Sequence, residues 1–315
     1  MFRIIPVNIG RFSAFRLVKS NDEYVEILTN LGAGLNALNL KSQSGVIINC
    51  VKGYSTEREI IDLHHQSFRG NILSPYPNRI SNGKFMFNKK EHQLPIHFPT
   101  EQNSIHGLLH HKNFEIVSSS ADSDSAFLHL KHDYLGTDQG YPFPYCIEVL
   151  YTLDDDGIKI ETKTRHTNDT AIPIALGWHP YFQFECAIEN VSLKLPKVVE
   201  LLVDDKMIPN GDSRPYHHFE TLKPIGTETL DTCFKIDKSA PFTSTELQTN
   251  GISLTIWTEN NPNQFDYLQV FTPPTRDCIA IEPMTAPPDA FNSELQKHLQ
   301  EPGSTKTSTF GIRWK

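Results

Sequence analysis

Two runs of alternating residues, 145–153 and 158–166, are joined by Asp154-Asp155-Asp156-Gly157. An Asp-Gly step between alternating runs signals a β-hairpin, because glycine supplies the backbone angles a tight turn needs. In the second arm Ile158, Ile160 and Thr162 share one face, while Lys159, Glu161 and Lys163 share the other. That period of two places one face on a core and one on water, as in an antiparallel sheet. Further strands are expected at 15–18, 24–28, 46–48, 127–132, 171–176, 191–195, 198–203, 252–258, 267–272 and 278–282. Their close succession, with 21 prolines, predicts an all-β chain built as a large antiparallel β-sandwich rather than from βαβ units. One segment reads as a helix, with Ser293 capping 294–300 and Leu295 and Leu299 on one face. No fixed-period repeat, low-complexity tract or linker interrupts the chain, so a single domain over 1–315 is expected.

Composition narrows the partners. The net charge is −8 and no long basic run occurs, which argues against nucleic acid and anionic membranes and permits a neutral partner such as a sugar. Nineteen Phe and ten Tyr mark a folded chain with a full core. There is no run of about 18 apolar residues to span a membrane, and the apolar stretch in residues 1–7 is too short for a secretory signal. The five cysteines lack CxxC spacing, and reduced thiols in a cytoplasmic protein are expected. The sequons at Asn168 and Asn190 carry little weight without a secretory signal.

Two stretches each place one proton-transfer residue at the end of an apolar run, next to a proline. They are Gly177-Trp178-His179-Pro180-Tyr181-Phe182 and Ile279-Ala280-Ile281-Glu282-Pro283-Met284-Thr285. A histidine and a carboxylate brought together in a cleft can act as acid and base on one substrate. His179 alone could equally be a core histidine, and Glu282 alone an exposed strand end. Trp178, Tyr181 and Phe182 offer flat faces for a sugar ring, or simply fill the core. Arg79, in the turn-rich stretch from Ser74 to Phe85, either ties down a loop or reaches ligand oxygens. His106-Gly107 suits a loop where a ligand passes close to the backbone. A His106–His110 metal pair would need a helix that Gly107 opposes, and no HExxH pattern is present, so no metal is expected. The pairs His64-His65 and His217-His218 read as surface residues. Asp231, before a strand, and Gln269, within one, read singly as structural.

Taken in order, these segments resemble the aldose 1-epimerase family, from about residue 24 to the end. Asn78-Arg79-Ile80 resembles the family's Asn/Gly-Arg-Ile loop, and Ile105-His106-Gly107 its His-Gly-Gly loop, with Leu108 as the second glycine's replacement. The His-Pro-Tyr-Phe segment is intact at 179–182. Leu230-Asp231-Thr232-Cys233-Phe234 is similar to the Leu-Asp-Asp-x-Phe segment. Gln269-Val270-Phe271-Thr272 matches Gln-x-Tyr-Thr with Phe for Tyr, and Cys278 to Pro283 matches the Cys-x-x-x-Glu context of the late glutamate.

The resemblance implies a galactose mutarotase-like supersandwich with few short helices, whose concave face holds the sugar. It implies that Glu282 takes the C1 hydroxyl proton and His179 protonates the ring oxygen. Arg79 and His106 would bind oxygens around the reacting centre, and Asp231 and Gln269 hydroxyls further round the ring. The expected activity is exchange of α and β anomers of a free aldohexose, without cofactor, by a monomer or homodimer. Leu108, expected to crowd the loop beside His106, and Phe271, which lacks a hydroxyl, bear on substrate preference, and galactose is not assumed. A hexose-6-phosphate epimerase would instead need Arg58, Arg69, Arg79, Lys84, Lys89 and Lys90 to converge on a phosphate. A sugar-binding protein without catalysis would need no acid–base pair.

Overall fold

The computed structural model describes residues 1–42, 44–261 and 264–315. The hairpin forms as its sequence demands. Strands Tyr145–Leu153 and Ile158–Arg165 pair with Leu153 opposite Ile158. Asp154 Oδ1 accepts from the backbone N–H groups of Asp156 and Gly157, closing the turn. Gly157 sits at φ +144°, where a Cβ would approach Ile312 O to 2.2 Å, so the position excludes other residues. The next strand, Thr305–Trp314, lies against Ile158–Arg165.

These strands belong to a nine-stranded antiparallel sheet. Its order is Glu115–Ala121, Ala126–Tyr134, Tyr145–Leu153, Ile158–Arg165, Thr305–Trp314, Ser253–Glu259, Phe242–Gln248, Ser192–Lys194, Lys223–Pro224. A second, eight-stranded sheet runs Pro209–Tyr216, Val198–Val203, Asp231–Ile236, Tyr267–Phe271, Ile279–Met284, Gly177–Trp178, Ile72–Leu73. Tyr181–Phe182 pairs beside it on Ile279–Met284. A five-stranded meander from Arg3–Ile9 to Ile47–Asn49 forms the N-terminal portion. One continuous core joins Val149 and Ile160 of the first large sheet with Leu268, Val270, Ile279 and Ile281 of the second. Trp178 packs edge-on to Tyr151 and tilted on Phe310, tying the two sheets together. Each such fully buried side chain contributes about 1.5–3 kcal/mol.

The helices differ from expectation. The longest, Glu57–Ser67, was not anticipated. Thr56 caps it by accepting from the Glu59 N–H, and the Thr56-x-x-Glu59 spacing was its readable signal. The segment expected as one helix after Ser293 is instead a helical turn at Ala290–Ser293, a 3₁₀ turn at Leu295–His298, and a short strand at Leu299–Gln300. Gln300 is the reason. Its side-chain amide donates to Thr164 O and Ser304 O, and its backbone pairs with Ile172, holding this stretch extended. Ser293 donates to Asp289 O and caps nothing.

The strand expected over 171–176 shortens to Ile172–Pro173, because the following amides turn to other partners: His298 O, Pro75 O and the Thr285 hydroxyl. All five cysteines are unpaired. Among the described residues no helix is long and apolar enough to cross a membrane.

Candidate active site

Sheet register builds the floor. Glu282 lies opposite Gln269, and Gln269 opposite Cys233. Asp231 lies opposite Phe271, Phe271 opposite Ala280, and Ala280 opposite Tyr181. Residues directly opposite in a ladder share a face. The face turned away from the shared core therefore carries Asp231, Gln269, Glu282, Phe271 and Tyr181.

Two loops close over this face. Strands Arg79–Ile80 and Ser104–Ile105 pair, with Ile105 opposite Arg79. Asn78 at φ +53° and His106 at φ +60° turn the backbone at either end, and the His106 N–H donates to Asn78 O. Gly107 follows at φ +73°, where a Cβ would meet Ser74 O at 2.2 Å. The close neighbour that requires this glycine is thus the Ser74 backbone, not a ligand as expected. Leu108 is buried in the main core and does not crowd the cavity. His179 enters from the end of Gly177–Trp178, its backbone held by Asn71 O and the Gly70 N–H.

The six residues expected to form a site line one cavity of about 140 Å³: Arg79, His106, His179, Asp231, Gln269 and Glu282. His179 Nε2 lies 3.5 Å from Glu282 Oε1. His179 is 4% exposed and Glu282 2%, too little for water to hydrate a charge freely. Tyr181 stacks on the His179 ring at 4.7 Å, and His106 meets it edge-on at 4.9 Å. His106 Nδ1 accepts from the Asn78 N–H, so its proton sits on Nε2, available to a ligand.

A ring of polar contacts fixes the rest. Gln269 Nε2 donates to Asp231 Oδ1 at 2.7 Å, and Asn78 Nδ2 donates to Gln269 Oε1 at 3.1 Å. Arg79 Nη1 donates to Asn78 Oδ1, and Arg79 Nη2 lies 3.9 Å from Asp231 Oδ2.

Burial governs the charges. It holds the His179 imidazole down at about 3, and His106 well below its ordinary value. Burial, with the Asp231 carboxylate nearby, raises Glu282 well above the usual carboxylate range, against the pull of Arg79. Burial also raises Asp231, again against Arg79. Burial of the pair therefore favours a neutral imidazole beside a protonated carboxyl. This form holds the same number of protons as an imidazolium beside a carboxylate. Arg79 Nε, His179 Nδ1 and Glu282 Oε2 are buried with no hydrogen-bond partner among the described residues. Such orphaned groups are costly unless a ligand satisfies them. Donor atoms of His106, His179 and Glu282 also lie within 4.8 Å of one another, the spacing of a metal-ligand set.

The sequence profile of the aldose 1-epimerase family matches residues 16–313. The chain belongs to the aldose 1-epimerase family. The uncharacterized protein YihR of Escherichia coli K12 is 28% identical over 302 residues, covering 92% of this chain and 90% of that one. Rat galactose mutarotase is 27% identical over 231 residues, 71% of this chain and 65% of the mutarotase, just under two thirds of its length. Among solved structures, a galactose mutarotase-like protein from Clostridium acetobutylicum superposes with a TM-score of 0.86 at 15% identity, covering 100% of this chain and 98% of that one. A galactose 1-epimerase from Lactobacillus acidophilus gives 0.81 at 18% identity, with 100% and 98% coverage. Both share the large antiparallel fold.

The other residues singled out in the sequence of this family member divide between cavity, core and surface. Of the three aromatics flanking His179, only Tyr181 lines the cavity, while Trp178 and Phe182 are core. His64 is buried rather than on the surface. Its ring contacts the Tyr54 hydroxyl and donates to His110 O, while His65, His217 and His218 are exposed. His110 stands off a helix, and no His106–His110 metal pair forms among the described residues. Gln66, Phe68 and Phe98 line the cavity without having been anticipated, and Asn78 proves central to its polar ring. Of the six basic residues weighed for a phosphate, only Arg79 lines the cavity. Arg58 pairs with Asp62, Arg69 with Glu59 and Lys84 with Glu91.

Proposed function

We propose that the chain exchanges the α and β anomers of a free aldohexose by acid–base ring opening and closure. The observation that carries this reading is the buried His179–Glu282 contact of 3.5 Å on the floor of a cavity rimmed by sugar-binding donor and acceptor types. Opening a cyclic hemiacetal needs a base on the C1 hydroxyl and an acid on the ring oxygen. As a carboxylate, Glu282 takes the hydroxyl proton. As an imidazolium, His179 gives its proton to the ring oxygen while the C1–O5 bond breaks. The open-chain aldehyde then faces a neutral imidazole and a protonated carboxyl, the form that burial already favours. Rotation about C1–C2 and the reverse transfers close the other anomer. One positioned acid or base contributes roughly 10²–10⁴-fold.

Arg79 and the Nε2–H of His106 would bind oxygens near the reacting carbon, and Asp231 and Gln269 hydroxyls further round the ring, fixing orientation. These groups come from positions 79 to 282, and we treat 1–315 as one functional unit. Within this cavity a 6-phosphate reading gains no support, because of the six basic residues weighed only Arg79 lines it and no lysine reaches it.

Anomer exchange by the purified chain, followed by polarimetry on fresh α-D-glucose, α-D-galactose and glucose 6-phosphate, tests the reading. Exchange above the spontaneous rate with a free sugar is expected. Acceleration with the phosphate alone would replace the free-sugar reading. Sugar binding without acceleration would leave a binding protein.

A further inference from the structure

A second cavity, of about 250 Å³, lies at the other end of the segments that carry the first. Leu176, Tyr267 and Thr285 line it. Tyr267 is two residues from Gln269, and Thr285 three from Glu282. At roughly 3.3 Å per residue, the two cavities are separated by about 7–10 Å of strand. The two cavities share no lining residue. From the opposite sheet Lys306 projects into the second one, on the same face as its ladder partner Thr164.

The charges do not cancel there. Three lysines line the cavity, Lys235, Lys297 and Lys306, with two carboxylates, Asp266 and Glu294. Each carboxylate already has a lysine. Glu294 takes Lys297 at 2.5 Å, and Asp266 takes Lys238 at 2.5 Å. Glu294 also accepts the Tyr267 hydroxyl. Among the described residues, Lys235 and Lys306 have no carboxylate within ion-pair distance. His298 adds an orphaned group. Its side chain is 9% exposed, and Nε2 has no hydrogen-bond partner among the described residues, the nearest carboxylate oxygen lying 3.9 Å away.

A half-buried ammonium with no counter-charge and a buried ring nitrogen with no acceptor are both costly. One anion placed between them would neutralise the ammonium and, with the ring proton on Nε2, accept a hydrogen bond from His298. Burial pulls Lys306 below its ordinary value, and burial with the Lys306 and Lys297 ammoniums pulls His298 to about 4, against the opposing pull of Glu294 and Asp266. Two unneutralised positive charges match a phosphate group, which carries about −1.5 to −2 near neutral pH and offers three acceptor oxygens.

We propose that this cavity binds a phosphate group through Lys306, Lys235 and His298. The group could be inorganic phosphate or the head of a phosphomonoester, and the chemistry of recognition is the same. The site is independent of the sugar chemistry at Glu282, so either reading can fail alone.

The test is a titration of the full chain with inorganic phosphate at constant ionic strength, read by calorimetry and by the His298 ring resonances. A parallel titration with glucose 6-phosphate separates the two sources. Saturable one-site binding of either is expected, with the His298 signal moving and free aldose failing to displace the anion. Lys306→Met is expected to weaken binding by about tenfold or more, the scale of one charge-assisted contact. Lys235→Gln, at an exposed position, is expected to weaken it while leaving the fold intact, and decides the matter if Lys306→Met unfolds. Non-saturating binding, affinities unchanged in both variants, or displacement by free aldose would overturn the proposal.

Discussion

The strand pair Tyr145–Leu153 and Ile158–Arg165 and the strand pair Tyr267–Phe271 and Ile279–Met284 are built alike. Both are antiparallel neighbours within a large sheet. In the first pair every second side chain is buried and the others reach solvent, as one-sided sheets require. In the second, every residue but Phe271 is buried, Gln269 and Glu282 included. The first pair satisfies every rule of strand patterning. The second breaks the rule against buried ionisable groups at Glu282, opposite Gln269 and beside His179. A fold does not require that cost, so the exception marks the candidate site.

Swapping one carboxyl in each pair separates these roles most sharply. Glu282→Gln is expected to slow anomer exchange by about 10²–10⁴-fold, because the amide cannot take a proton. Glu161→Gln, on the solvent side of the first pair, is expected to leave exchange unchanged. Equal effects, measured by saturation-transfer NMR, would erase the distinction.

Stability is expected to reverse the ranking. Ile160, fully buried in the shared core, is expected to cost about 2–5 kcal/mol on truncation to Ala. Glu282→Met, which replaces a buried carboxyl by an apolar chain of similar length, is expected to change stability by no more than about 1 kcal/mol or to raise it. Urea unfolding of both variants checks this, and a large loss in Glu282→Met would make the carboxyl structural.

Histidine extends the contrast to pH. Burial holds His64 and His298 at about 4, His179 at about 3 and His110 at about 2, against 6.5 for an ordinary histidine. The unfolded chain therefore binds more protons as pH falls through 6.5, while the folded chain does not. Stability is lost in that direction, by up to about 1.4 kcal/mol per pH unit for each histidine. Glu282 runs the other way. Its raised value lets the folded state keep a proton above pH 4.5, so its contribution shrinks as pH rises and offsets part of the histidine slope. A melting temperature that falls between pH 7 and pH 5 is expected. A flat or rising profile would mean these histidines are not held neutral.

The legible and illegible parts of the chain divide along the same line. Alternation and the Asp-Gly turn located the first strand pair with nearly correct ends, since nothing tertiary competes with them. Glu282 and His179 were legible because each ends an apolar run, where a polar residue stands out. The polar ring was not. Asn78 matters through a left-handed backbone and a contact to Gln269, far away in sequence, and no local pattern encodes that. Phe68 reaches the cavity edge because it closes the Glu57–Ser67 helix in the left-handed region, and the Thr56-x-x-Glu59 signal of that helix went unread. His64 looked like a surface residue because an adjacent pair of histidines divides between two faces, and only the fold decides which one turns inward.

The central claim is that His179 and Glu282 work as one proton-transfer unit. The direct measurement is anomer exchange in Glu282→Gln, His179→Asn and the double variant, with folding checked by thermal melts. If the residues form a unit, each single variant loses most of the acceleration and the double variant is slower than the worse single by less than about tenfold. Near-normal exchange in either single variant, or losses that multiply fully in the double, would contradict it.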